Sequence, residues 1–208
     1  MVSDPLEDLR WLDAAEGRCP LGGIFSVSFF HGLGPAEVLR RFGAAPSGEP
    51  DGGHGPHGRP PTLGTLCERA GDGGGFVGAM RTGEWTAAVE LCGWEATLPD
   101  VAERLSADCE MVAVTRHDYA EHCFVYAVGG SVVTCFDSHV PGYRQGSAPD
   151  GLNAVMRETG LDPGSEEMCL DDPVATSFAL AAAITGVVFT RDVLERPLLT
   201  GAVRQPLV

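Results

Sequence analysis

Apolar and polar positions alternate with a period of two over several stretches of the chain, and this pattern predicts a sheet. Residues 24–30, IFSVSFF, read as a strand with Ser26 and Ser28 on one face. Residues 75–81 and 84–91 flank Thr82-Gly83, a two-residue hairpin turn that sets Met80 opposite Trp85, Phe76 opposite Val89 and Arg81 opposite Glu84. Residues 109–115 are apolar on both faces, which places that strand inside the sheet. Residues 122–128 and 131–137 flank Gly129-Gly130, a second tight turn whose register pairs Phe124 with Cys135, Tyr126 with Val133 and His122 with Asp137.

Helical signals fill the intervals. Asp4-Pro5-Leu6-Glu7 carries a capping aspartate, a proline at the first helical position and a glutamate three residues after the cap, so a short helix turning Leu6, Leu9 and Leu12 inward is expected. Gly34-Pro35 opens a second helix lined by Val38, Leu39 and Phe42 and ended by Gly43. Brief helices are expected over residues 63–69 and 99–105. Another spans residues 149–159, and a longer one, capped by Asp172, runs to Gly186. Thr190 caps a last short one. Residues 44–61, AAPSGEPDGGHGPHGRPP, hold almost no core-forming side chains and read as a flexible loop. The pattern as a whole predicts one α+β domain over residues 1–208. Its predominantly antiparallel sheet has five to six strands, with helices packed from the N- and C-terminal segments.

Composition narrows the chemistry. All fourteen Lys+Arg positions are arginine, which removes Schiff-base lysines and the phosphate-binding lysine of a P-loop. A net charge of −15 disfavours nucleic acid and acidic membranes as partners. The first eleven residues carry Asp4, Glu7 and Asp8 where a signal peptide would be basic, and no apolar run approaches the ~20 residues of a membrane span. A cytoplasmic protein is expected. Seven irregularly spaced cysteines fit neither a disulfide framework nor a zinc ribbon.

Few residues point to a site. The expected hairpin register sets His122 across from Asp137, where a carboxylate would orient the imidazole and raise its pKa. Arg144 lies seven residues beyond Asp137 and is placed to return to it as a bidentate salt bridge. Glu90 and Trp94 bracket the end of a strand. Trp94, following Gly93, is read as a lid on the edge of the core in preference to an exposed contact. His54 and His57 offer two imidazoles but no third ligand, so no metal is expected. Neither G-x-S-x-G nor HExxH occurs.

The runs GEWTAAVELCGW, ERLSAD and FVYAVGGSVVTCFDSHVPGYRQGSAPDGLNAVMRETGL, with a late alanine-rich helix ending TGVVFT, resemble an actinobacterial family of uncharacterised proteins, a domain of unknown function. The likeness covers the chain from about Trp11. Its markers are Trp85, Glu90, Gly93-Trp94, Phe136-Asp137, Arg144, Gly146 and Pro149-Asp150, and the family carries asparagine where this chain has Cys92. The resemblance implies a shared fold and a bacterial cytosolic setting, and it brings no reaction, cofactor or catalytic residue. The expected function is that of a non-enzymatic, cofactor-free module of accessory or immunity type. Its partner would be a protein or a small molecule, bound through Glu90, Trp94, His122, Asp137 and Arg144. The alternative is a small hydrolase or transferase using His122 with Asp137, or Asp137 with Arg144.

Overall fold

The computed structural model describes residues 6–14, 18–47, 61–70, 75–168 and 171–203. In chain order the elements are β1 (Ile24–His31), α1 (Pro35–Arg41), β2 (Ala45–Ser47), α2 (Leu63–Ala70), β3 (Phe76–Thr82), β4 (Trp85–Leu91), α3 (Pro99–Leu105) and β5 (Glu110–His117). There follow β6 (Cys123–Val128), β7 (Ser131–Asp137), α4 (Asn153–Glu158), α5 (Pro173–Thr185) and β8 (Leu199–Ala202), with 3₁₀ turns at Arg10–Leu12, Glu95–Thr97 and Arg191–Glu195. The strands form one sheet in the order β2-β8-β3-β4-β1-β5-β6-β7, and every pairing is antiparallel.

The α+β class holds, but the strand count exceeds five to six. Seven strands have four or more residues, and the three-residue β2 makes an eighth. The additional strands are β2 and β8, which pair with each other and extend the sheet beyond β3. Ala45-Pro46-Ser47 contains a proline, which an edge strand accepts where the missing N–H would point away from the ladder. Of the expected loop at residues 44–61, Ala44 is buried and residues 45–47 are strand, while residues 48–60 lie outside the described residues.

β4 and β1 lie at the centre with β5 beside them, and there both faces need apolar cover. One face presents Phe25, Val27, Phe29, Val112 and Val114 to Phe178 and Ala181 of α5, to Phe189 and to the N-terminal Leu9 and Leu12. Burying an aromatic or branched side chain in this way contributes about 1.5–3 kcal/mol each. The opposite face presents Phe30, Ala88, Met111 and Ala113 to Val38 and Leu39 of α1 and to Ala102 and Leu105 of α3. Helices therefore cover both faces, and the second cover comes from the middle of the chain.

Both hairpin registers differ from the expected ones. The first turn is Gly83-Glu84, which pairs Thr82 with Trp85, Met80 with Ala87 and Phe76 with Leu91. A tight hairpin demands positive φ at its first turn position; Gly83 supplies it at +63°, whereas β-branched Thr82 would be an outlier there. The displacement is an even number of residues, so each side chain keeps its face. The second turn is Gly129-Gly130 as expected, with φ of +58° and +82°, and Val128 pairs with Ser131. A bulge after Tyr126 then leaves Val133 unpaired and shifts the rest, so that Phe124 meets Phe136 and Asp137 meets Cys123 in place of His122.

The bulge is held from outside the hairpin. Val133 presents its carbonyl to the N–H of Ala148 (3.0 Å), Val132 accepts from Ser147 (2.9 Å), and Cys135 and Gln145 exchange both backbone bonds (2.8 and 2.9 Å). The passing chain requires glycine at 146: its φ is +127°, and a Cβ there would stand 2.3 Å from the Val133 oxygen.

Helix termini depart from the sequence signals in four places, one being Thr190, which precedes the last 3₁₀ turn without a side-chain cap. Residues 6–9 form turns leading into the 3₁₀ segment rather than an α-helix, and Asp4-Pro5 lies outside the described residues. α5 begins where expected, but Asp172 takes a left-handed conformation (φ +47°) and makes no cap. The carboxylate that accepts the N–H groups of Val174 (3.1 Å) and Ala175 (2.6 Å) is that of Asp13, 161 residues earlier than Val174. α4 is shorter than residues 149–159, spanning Asn153–Glu158.

Candidate functional site

β4 ends at Leu91, and the chain turns sharply through residues 92–94. Cys92 is left-handed (φ +52°), and Gly93 lies close enough to Glu90 that a Cβ would approach the Glu90 Cβ to 3.1 Å. The turn carries the 3₁₀ segment Glu95–Thr97 across to β1 and β5. Glu90, standing between Ser26 of β1 and Val77 of β3, accepts hydrogen bonds from the N–H groups of Glu95 and Ala96, both at 3.1 Å. It therefore caps a 3₁₀ turn whose own N-cap residue, Trp94, offers no side-chain acceptor. Thr97 secures the turn further, donating to the Trp94 carbonyl and meeting the Thr115 hydroxyl, each at 2.9 Å.

Glu90 is 5% exposed, and burial pushes its carboxyl up to about 7; the two backbone donors oppose that shift, and the charge of Glu95 adds to it. Around it opens a cleft of about 120 Å³ lined by Phe76, Glu90, Cys92, Trp94, Glu95 and Val203. Trp94 is 44% exposed and Phe76 42%. The Trp94 ring meets the His117 ring edge to face with centroids 5.2 Å apart, and Tyr119 lies beyond at 6.4 Å from His117. Trp94 is thus a surface aromatic at a cleft mouth, and the core-lid expectation is corrected: the left-handed step at Cys92 turns the chain out of the strand before the indole can pack inward.

His122, Asp137 and Arg144 do not belong to this cleft; His122 and Asp137 lie near each other with His139 bridging them, and Arg144 bonds to other groups. His122 Nδ1 accepts the N–H of His117 at 3.2 Å. Its ring stacks on His139 with centroids 4.5 Å apart. Burial first and the His139 charge second hold its pKa down to about 4, the reverse of the rise expected from Asp137. Asp137 instead serves the His139 turn, accepting the His139 backbone N–H at 3.0 Å and facing its Nδ1 at 3.3 Å. The neighbouring Cys123 thiol is pushed up to about 11 by burial, so it is not a thiolate at neutral pH.

Arg144 makes no bridge to Asp137. Its guanidinium donates to the carbonyls of Pro141 (2.7 Å), Pro149 (3.1 Å) and Pro163 (2.6 Å), and to Asp150 Oδ1 at 2.8 Å. With 8% of its side chain exposed, it acts as an internal tie for the segment after β7. Gly142 explains its direction. A Cβ there would stand 1.9 Å from the Ser165 carbonyl oxygen, so the loop is pressed against residues 163–165 and the arginine is turned toward them.

Among the described residues no group of three or more His, Cys, Asp and Glu is placed to hold a metal ion, and His54 and His57 lie outside those residues. No helix among them is long and apolar enough to cross a membrane. Sequence reasoning found Glu90 and Trp94 but missed Phe76, Cys92 and His117. The signal for Cys92 was its place between the last strand residue and Gly93.

A family model, "Family of unknown function (DUF6461)", matches residues 3–205. The chain belongs to this family. Comparisons with curated proteins and with solved structures return no match. Within this DUF6461 chain, Glu90 and Gly93-Trp94 share one structural unit, in which Glu90 caps the turn, Gly93 permits the close approach and Trp94 stands at the rim, whereas Trp85, at the other end of β4, is buried against His31.

Proposed function

We propose that this chain is a ligand-binding module whose site is the cleft at the end of β3 and β4, with Glu90 at its base and Trp94 at its mouth. The observation that supports the reading is a nearly inaccessible carboxyl group in an open cleft whose lining includes the exposed aromatic residues Trp94 and Phe76. Concave sites that join apolar walls to a few convergent polar groups, one with a displaced pKa, are the usual form of small-ligand sites. In a bacterial cytosolic setting such a module would act as an accessory or immunity-type factor.

The hydrolase or transferase alternative draws less support from the geometry. His122 and Asp137 bond to other groups, Asp137 and Arg144 are not paired, and the cysteine beside them is protonated.

Amide chemical-shift mapping with a panel of four-carbon amines, alcohols and carboxylates tests the site. Shifts concentrated at residues 76, 91–95 and 203, and abolished by Trp94→Ala, are expected. Shifts confined to residues 137–150 would move the site to the other loop and overturn the reading.

A further inference from the structure

Resting on the cleft reading, we propose that the group it takes is an organic ammonium, carried either by a free amine or by a lysine side chain. Among the described residues the charged side chains lining the cleft, Glu90 and Glu95, are both carboxylates, and no arginine lines it. The exposed ring of Trp94 presents π surface at the cleft, which attracts a cation and repels an anion. Glu90 uses one acceptor site on each oxygen for the N–H groups of Glu95 and Ala96. Each carboxylate oxygen accepts two bonds, and the Ser26 hydroxyl stands against the same carboxylate, so at least one acceptor site remains for a donor with several N–H groups or for a buried charge. The whole chain, at −15, favours approach of a cation.

The carboxyl is half-protonated near pH 7 while the cleft is empty, and a cation prefers the ionised form. Binding must therefore expel a proton from Glu90 and strengthen as pH rises. The titratable groups around it are Glu95 on the same turn, Cys92 and the His117 ring packed on Trp94; the side chains paired across it in the sheet, Ser26 and Val77, are neutral.

The experiment is a calorimetric and amide-shift titration of the full chain with tetramethylammonium, n-butylammonium and Nα-acetyl-lysine methylamide. 3,3-Dimethyl-1-butanol serves as the uncharged shape match and butyrate as the anion, all at pH 6 and pH 8. Tetramethylammonium carries its charge at both pH values, so any pH effect belongs to the protein. Its affinity is expected to rise about tenfold between them, as follows from a single group titrating near 7. Glu90→Gln should abolish that rise. Trp94→Leu should weaken binding while keeping it, which separates loss of the rim from loss of the charge.

Tighter binding of the lysine derivative than of n-butylammonium would assign the ammonium to a polypeptide, and the reverse to a free amine. Equal binding of the alcohol at the same residues would overturn the ammonium assignment and leave the cleft standing. No shift at residues 76 and 91–95 with any probe would overturn both.

Discussion

Cys92 sets the geometry of the site from a conformation that its side chain disfavours. A left-handed residue other than glycine pays for the approach of its Cβ to the following carbonyl, and asparagine tolerates that region several-fold better than most residues. Cys92→Asn is therefore expected to stabilise the fold by up to about 1 kcal/mol, read as a higher urea midpoint at unchanged m-value. A lower midpoint would show that the contacts of the Cys92 side chain outweigh its backbone cost. Glu90 illustrates the opposite relation, in which an unfavourable burial is held by two backbone donors that themselves need an acceptor.

Among the elements, legibility in the sequence followed the range of the interactions that define each one. β1, β5, α1 and α3 were legible because side-chain periodicity and Gly/Pro punctuation act within one element. Both glycine hairpins were legible as hairpins, yet their registers were not. The first depends on which turn position bears positive φ, and the second on Ser147 and Ala148 reaching back to the β7 backbone. β8 was missed because Leu-Thr-Gly-Ala has no alternation to read. Of the candidate site, Glu90 and Trp94 could be found from one stretch of sequence, whereas the His122–Asp137 and Asp137–Arg144 pairs depended on a register and a loop path. The cap of α5 belongs with these long-range features. Asp172 has the residue type and position of a cap, but Asp13 does the work. Asp13→Ala is expected to cost about 1–2 kcal/mol in urea unfolding, because two N–H donors of α5 lose their acceptor. Asp172→Ala should cost less, since only its Arg10 pairing at the surface is lost. Equal losses in the two variants would mean that the distant cap carries no special weight.

For the molecule as a whole, two groups on different parts of the sheet couple folding to pH in opposite senses. Glu90 titrates near 7 in the folded chain and near 4.5 unfolded, so between these values the folded state holds a proton that the unfolded state has released. Its contribution to stability is full below about 4.5 and is lost as pH rises through 7. His122 titrates near 4 folded and 6.5 unfolded, so in its window the unfolded state binds the extra proton. Its contribution is full above 6.5 and is lost as pH falls through 4. The two slopes oppose each other over the same range, and the wild-type curve alone cannot separate them; differences from single variants can. Relative to wild type, Glu90→Gln should gain stability as pH rises from 4.5 to 8. The gain should be on the order of 3 kcal/mol, because the variant keeps a neutral group where wild type acquires a buried charge. The backbone bond that glutamine cannot accept offsets this by a constant amount at every pH and leaves the slope intact. His122→Gln should show the mirror image, its difference from wild type moving in its favour as pH falls from 6.5 to 4. A flat Glu90→Gln difference across this range would mean that the carboxyl ionises at its ordinary value in contact with water. The cleft would then lack the poised group on which its binding chemistry rests.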